Sequence, residues 1–193
     1  RVRRTGERIS MPDPGSPADD AERLWRATPT PLSLGQIRTA LDNLASSCFA
    51  GERDLPRVGT IEVGPDKVTV RLVEDEDGPV SPFTAEGPRS WTAATAALAR
   101  LGPVDRSRVP EPYPALVAVG HSASSTVLIN LEAAGTIRVV GDADAAGGVL
   151  RALVAELATS ELTGRIGLTA GDEFADLAAA CAPSRLQAPP APG

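Results

Sequence analysis

The sequence predicts an α/β fold, with a mixed sheet, a C-terminal βαβ unit, and an N-terminal helical segment followed by a β-hairpin. Three observations carry this. Leu34, Ile37, Leu41, Leu44, Ala45 and Cys48 fall on one stripe at helical spacing. Two alternating runs, Gly59 to Val63 and Lys67 to Val73, are joined by the turn residues Gly64, Pro65 and Asp66. After Ala115 the chain reads strand, strand, strand, helix, strand, helix, an order that implies a right-handed βαβ unit with a parallel pair.

Residues 1–15 hold Pro12, Pro14 and Gly15 without periodicity and read as a basic, flexible lead. Residues 16–182 read as one α/β domain whose first 35 residues, 16–50, are helical. Ser16 is placed to cap a short helix, with Pro17 at its first position and Asp19 and Asp20 at the positive end of its dipole. Ser33 starts the longer helix and Gly51 ends it. Glu74 to Asp77 form a solvated acidic loop. Residues 79–114, rich in Pro and Arg, read as irregular apart from a short helix from Thr92 to Leu101. Strands follow at Ala115–Gly120, Thr126–Leu131 and Thr136–Val140. Val149, Leu150, Leu153, Val154 and Leu157 mark the inner face of a helix from Asp144 to Thr159. Arg165–Thr169 is a further strand, and Asp172–Cys181 a last helix with Phe174, Leu177 and Cys181 inward. Residues 183–193 are a proline-rich, disordered tail.

Composition excludes several functions. Hydrophobic residues make up 42% of the 193, enough for a core, but aromatics only 3%, too few to stack bases along a single strand. A net charge of −6 opposes general DNA binding, which needs a basic face, so no direct nucleic-acid partner is expected. The local basic cluster is Arg1, Arg3, Arg4 and Arg8, the pattern that follows a membrane span on its cytoplasmic side. No run of about 18 apolar residues occurs in the chain, so any membrane link runs through a preceding segment. Cys48 and Cys181 are far apart and His121 is the sole histidine, which leaves a zinc site short of ligands; no metal or cofactor is expected.

The sharpest chemical candidate is the turn from Gly141 to Gly148. A phosphate-binding loop needs Gly, four residues, Gly, Lys and then Ser or Thr. Here Ala146 stands for the second glycine, Gly147 for the lysine and Gly148 for the hydroxyl. The close backbone approach, the phosphate-binding charge and the Mg²⁺ ligand are all lost. Asp142 and Asp144 add negative charge where phosphates would sit. What remains is a candidate anion site at Gly141, Gly147 and Gly148, resting on free N–H groups at a helix start. The structural reading of these glycines is a hinge that lets the helix pack close on the sheet. Gly120-His121-Ser122-Ala123-Ser124 resembles a nucleophile elbow, but a strand follows it and the only histidine adjoins the serine. A hairpin turn accounts for it. Glu74 to Asp77 lack the alternating ligands of a calcium loop, and Trp25 and Trp91 read as anchors covering the core edge.

The stretch PALVAVGHSASSTVLINLEAAGTIRVVGDADAAGGVLRALVAELATSELTGRIGLTAGD resembles the cytoplasmic α/β region of large actinobacterial membrane proteins. Those are described by their LysM peptidoglycan-binding and bacterial transcriptional activator (BTAD) domains. The matching motifs are Leu131-Glu132-Ala133 before Gly135, the VVGD turn, and RALVAELATS. The likeness covers residues 114–171 well and 1–73 loosely. It implies transmembrane helices before the arginine-rich start, and a role in regulation. The same stretch resembles a worn-down module of the DNA-translocase and type VII secretion ATPases, which implies ancestry of the fold without activity. Neither a LysM motif nor BTAD helical repeats occur here, so the resemblance assigns those functions to other parts of a longer protein. The expectation is a non-catalytic cytoplasmic interaction domain, tethered at the inner face of the cell membrane. Its partner would be another protein or another domain of the same chain. The alternatives are a nucleotide- or anion-binding module without hydrolysis, and an enzyme of unrecognised type.

Overall fold

The computed structural model describes residues 13–16, 19–20, 23, 32–76, 78–109, 111–121, 124–160, 162–163, 166–180 and 186–187. Its class is the predicted one: a mixed α/β fold with an N-terminal helix, a β-hairpin and a six-stranded sheet.

Helix α1 spans Leu34–Ala50. It starts where the sequence places it, because Ser33 and Gln36 form a capping box. Gln36 N–H donates to Ser33 Oγ, and Ser33 N–H donates to Gln36 Oε1. Gly51 closes it, returning its N–H to Ser47 and Cys48 carbonyls. Ile37, Ala40, Leu41, Leu44, Ala45 and Cys48 are buried, which is the predicted stripe with Ala40 added and Leu34 only half-buried. Earlier in the chain, Asp19 N–H donates to Ser16 Oγ, the expected cap; most of that first helix lies outside the described residues.

Strands β1 (Val58–Val63) and β2 (Lys67–Leu72) make the predicted hairpin. Strands β3 (Thr84–Gly87) and β4 (Ser90–Ala94) follow, then a four-residue helix, α2 (Thr95–Leu98). Here the reading of 79–114 as irregular is corrected. Ser90–Ala94 carries residues that favour a helix as readily as a strand, yet β4 is hydrogen-bonded between β2 and β3. Burial of Trp91 at 1% exposure decides the local preference. Trp91 is therefore central to the core and does not cover its edge.

Strands β5 (Leu116–His121) and β6 (Thr126–Asn130) form a second hairpin, and β6 adds to β1. The sheet order is β3-β4-β2-β1-β6-β5, with every neighbouring pair antiparallel. One sheet face, with Ile61, Val70, Trp91 and Leu128, packs against the α1 stripe in the main core. The two end strands differ in chemistry. β3 is short and carries Thr84 and Glu86; β5 is Leu-Val-Ala-Val-Gly-His.

The chain leaves the sheet through α3 (Leu131–Ala134), capped by Asn130, whose Oδ1 accepts from Glu132 N–H. Asn130 Nδ2 also donates to the Val58 carbonyl. The predicted strand Thr136–Val140 is absent; Ile137 is 42% and Val140 73% exposed. β-branched residues favour a strand only where a sheet offers a half-buried place, and this run pairs with no strand. It lies between Gly135 (φ 65) and Gly141 (φ 139). Helix α4 spans Ala143–Thr159, one residue longer than predicted. The predicted strand at 165–169 shortens to β7 (Leu168–Thr169). The last predicted helix becomes a 3₁₀ turn, Asp172–Phe174, leading into α5 (Ala175–Ala180); Cys181 lies outside the described residues. The parallel pair also moves. It is β7 with β8 (Leu186–Gln187), a two-stranded sheet flanking α5, not a pair flanking α4. β8 falls inside the stretch read as a tail.

Candidate functional site

The Gly141–Gly148 turn is occupied by its own side chain. Asp142 caps α4, and its Oδ1 accepts from Asp144 N–H at 3.1 Å and Ala145 N–H at 3.0 Å. These are the amides that an anion would need, and a carboxylate already holds them. Asp144 places a second negative charge in the first turn. Gly147 and Gly148 sit inside the helix, so of the three candidate glycines only Gly141 belongs to the loop. The close-packing explanation is corrected as well. A Cβ built at Gly147 or Gly148 meets nothing within 4 Å, so no close approach requires these glycines.

The other sequence candidates are scattered. His121 ends β5 opposite Thr126, in the predicted hairpin, and Ser122 and Ala123 lie outside the described residues. Ser125 Oγ donates to Glu62 Oε1 at 3.1 Å. In the acidic loop Glu74 pairs with Arg57, and Asp75 with Arg89 at 2.5 Å. Lys67 pairs with Glu86 at 3.0 Å. Trp25 and Asp77 lie outside the described residues.

Two features were missed by sequence reasoning. The first is a charged cleft of about 500 Å³ lined by Arg38, Asp42, Val104, Arg106, Ser107, Val109 and Glu111. Arg38 and Asp42 lie one turn apart on α1 and are 5% and 4% exposed. Arg38 Nε donates to Asp42 Oδ1 at 3.2 Å, Nη1 to the Leu162 carbonyl at 3.0 Å, and Nη2 to Glu111 Oε1 at 2.6 Å. Arg106 Nη2 reaches Asp42 Oδ2 at 2.5 Å. Asn43 Nδ2 adds a bond to the Gly102 carbonyl at 2.8 Å. Asp105 caps the 3₁₀ turn Arg106–Arg108 by accepting from Ser107 N–H. The Ser107 side chain first, and then this backbone N–H, hold the Asp105 carboxyl below its usual range. Two guanidinium groups face two carboxylates, so the cleft is balanced in charge. Burying such a pair is costly unless each group is hydrogen-bonded, as Arg38 and Asp42 are. The arrangement ties chain segments together. The sequence signal was present: Arg38 and Asp42 each adjoin a core residue, Ile37 and Leu41, at helical spacing.

The second feature is an apolar surface at the start of α4. Val149 is 48% and Leu150 39% exposed; Ile137 and Val140, in the run that precedes the helix, are exposed too. The predicted inner face of α4 is thereby corrected. Only Leu157 of its five residues is buried, with Leu153 and Val154 half-buried, because α4 meets β5 through its C-terminal half. There Leu153 and Leu157 pack with Ala115 and Val117, on the sheet face opposite α1.

No helix among the described residues is long and apolar enough to cross a membrane. No protein-family model, no curated protein and no solved structure matches the chain.

Proposed function

We propose that this chain is a non-catalytic interaction domain, held at the cytoplasmic face of a membrane by a preceding segment of a longer protein. Its partner is another protein or another domain of that chain. The observation that carries the reading is the apolar surface of Val149 and Leu150 on α4, with Ile137 and Val140 just before it. Contiguous exposed apolar patches mark interaction sites, and these four exposed side chains fall within one stretch of chain, 137–150. The exposed carboxylates of Asp142 and Asp144 adjoin this stretch, so the matching surface is apolar with a basic rim. The arginines at positions 1, 3, 4 and 8 support a place beside an anionic membrane.

The reading is tested in two arms. Thermal stability is measured with and without ATP–Mg²⁺; a nucleotide at 100 times its Kd would add about 2.7 kcal/mol, and no shift is expected. A reproducible shift would replace this reading with that of a nucleotide-binding module. In the second arm, a photo-crosslinker at position 149 is compared in cells with one at Glu86 on β3. A discrete adduct from position 149 alone, lost in the Leu150→Asp variant, is expected. Equal labelling from both positions removes the docking surface.

A further inference from the structure

Two chain segments meet α1 at Arg38, and among the described residues Arg38 donates to both. One is the segment beginning at Gly102, held through Glu111; the other is the turn after α4, held through the Leu162 carbonyl. We propose that Arg38 is a shared latch, whose single guanidinium closes the first segment and seats the second so that they open and close together. That the latch governs the docking surface rests on the reading of α4 given above.

The geometry supplies the coupling. A guanidinium is a rigid plane whose donors point in fixed directions, so losing one partner lets the plane tilt away from the others. Asp42 orients this plane through Nε, and Asp42 is itself gripped by Arg106 of the first segment. Lifting that segment removes Glu111 from Arg38 and Arg106 from Asp42 in one movement. Water entering the opened cleft then competes for the Arg38 donors with the Leu162 carbonyl.

Leu162 is 1% exposed and belongs to the main core, whereas the buried side chains of α4 are Leu157 and Ala158, both near its C-terminus. The turn at Leu162 therefore anchors the end by which α4 is held. The half of α4 that carries Val149 and Leu150 has no buried side chain. Its position follows whatever happens at the anchored end.

Amide hydrogen exchange on the free chain tests this. Arg106 is 60% and Glu111 36% exposed at the side chain, so the Arg106→Ala, Glu111→Gln double variant removes no buried side chain. Exchange should quicken about 2- to 30-fold in 104–109 and also in 153–160, the range that a coupling of this kind spans. In an Arg38→Met background the same double change should leave 153–160 unaltered, because the link is already cut. Faster exchange in 104–109 alone overturns the latch. Should Arg38→Met fail to fold, 1 M salt replaces it: screening to about 3 Å should weaken the Arg106–Asp42 pair from its exposed Arg106 side and quicken both stretches. Quickening confined to 104–109 again overturns the latch. No partner enters this measurement, so failure of the latch and failure of the docking reading are told apart.

Discussion

Helices α1 and α4 are both 17 residues long, both capped by a side chain at the N-terminus, and both amphipathic by sequence. Their fates differ. α1 buries eight residues along its whole length, and α4 buries two near its end. α4 is the more apolar by sequence, with Val149, Leu150, Leu153, Val154 and Leu157 against the mixed face of α1. Hydrophobicity alone did not decide which helix enters the core. The sheet offers α1 a broad apolar face built from strands β1, β2, β4, β5 and β6. On the opposite face α4 finds apolar partners on β5, and that strand is already the end of the sheet. Beyond β6 that face turns polar, with Glu62, Lys67 and Arg71 exposed. A helix longer than its apolar landing ground keeps part of its stripe in solvent.

The contrast is breakable by substitution. Leu44→Ala in α1 removes a side chain 1% exposed and should cost about 2–5 kcal/mol, read as a lowered midpoint of urea unfolding. A loss under about 1 kcal/mol would mean that α1 is not the helix that holds the core.

Tyr113, packed in the same core as α1, gives a smaller effect with a pH signature. Its hydroxyl donates to the Pro56 carbonyl at 2.9 Å, so Tyr113→Phe should cost about 1 kcal/mol at pH 7. Burial first, then the nearby Cys48, raises the phenol above its ordinary value of 10.0, and burial likewise raises the Cys48 thiol above 9.0. In each case the folded state favours the neutral form. The stability is fully present below pH 9 and falls as the unfolded chain ionises above it. The unfolding midpoint should therefore drop between pH 9 and 11, and Tyr113→Phe should flatten the upper part of that fall. A midpoint unchanged to pH 11 contradicts the burial of both groups.

In α4 the sign reverses. Gly147→Ala and Gly148→Ala should each stabilise by about 0.5–1 kcal/mol, since glycine weakens a helix interior and the added methyl meets nothing. Destabilisation by either would restore a packing role for that glycine. The smallest change is expected at Leu150→Asp, within about 0.5 kcal/mol of the parent, because Leu150 is 39% exposed and belongs to none of the buried clusters. Its cost, set beside that of Leu44→Ala, measures the difference between the two helices directly.

How legible the chain was follows from distance along it. The start of α1 at Ser33, its apolar stripe, and the β1–β2 and β5–β6 hairpins rest on neighbours a few residues apart, and the sequence reading located each of them. The charged cleft rests on Arg38 meeting residues 73 and 124 positions away, which no local pattern announces. The helix expected over Thr92–Leu101 keeps Thr95–Leu98 as α2 but loses Thr92–Ala94 to β4: Ala-rich segments favour a helix, and only the β2 and β3 edges overrule that. The Thr136–Val140 run erred the other way: strand-like residues met no edge. At the candidate anion site, the missing lysine and hydroxyl were plain in the sequence. The Asp142 carboxylate seated on the helix amides required the backbone to be seen.

The two borders of the sheet are also unequal. β3 is four residues long, with Glu86 on it, a poor template for a passing strand. β5 holds neither an acidic nor a lysine or arginine side chain and no proline, and at its far end Val119 is 41% exposed beside the irregular register at Ala118/Gly120. Any sticking between chains at high concentration is therefore directional, starting at β5. A single lysine in place of Val119 should raise solubility more than any change on β3.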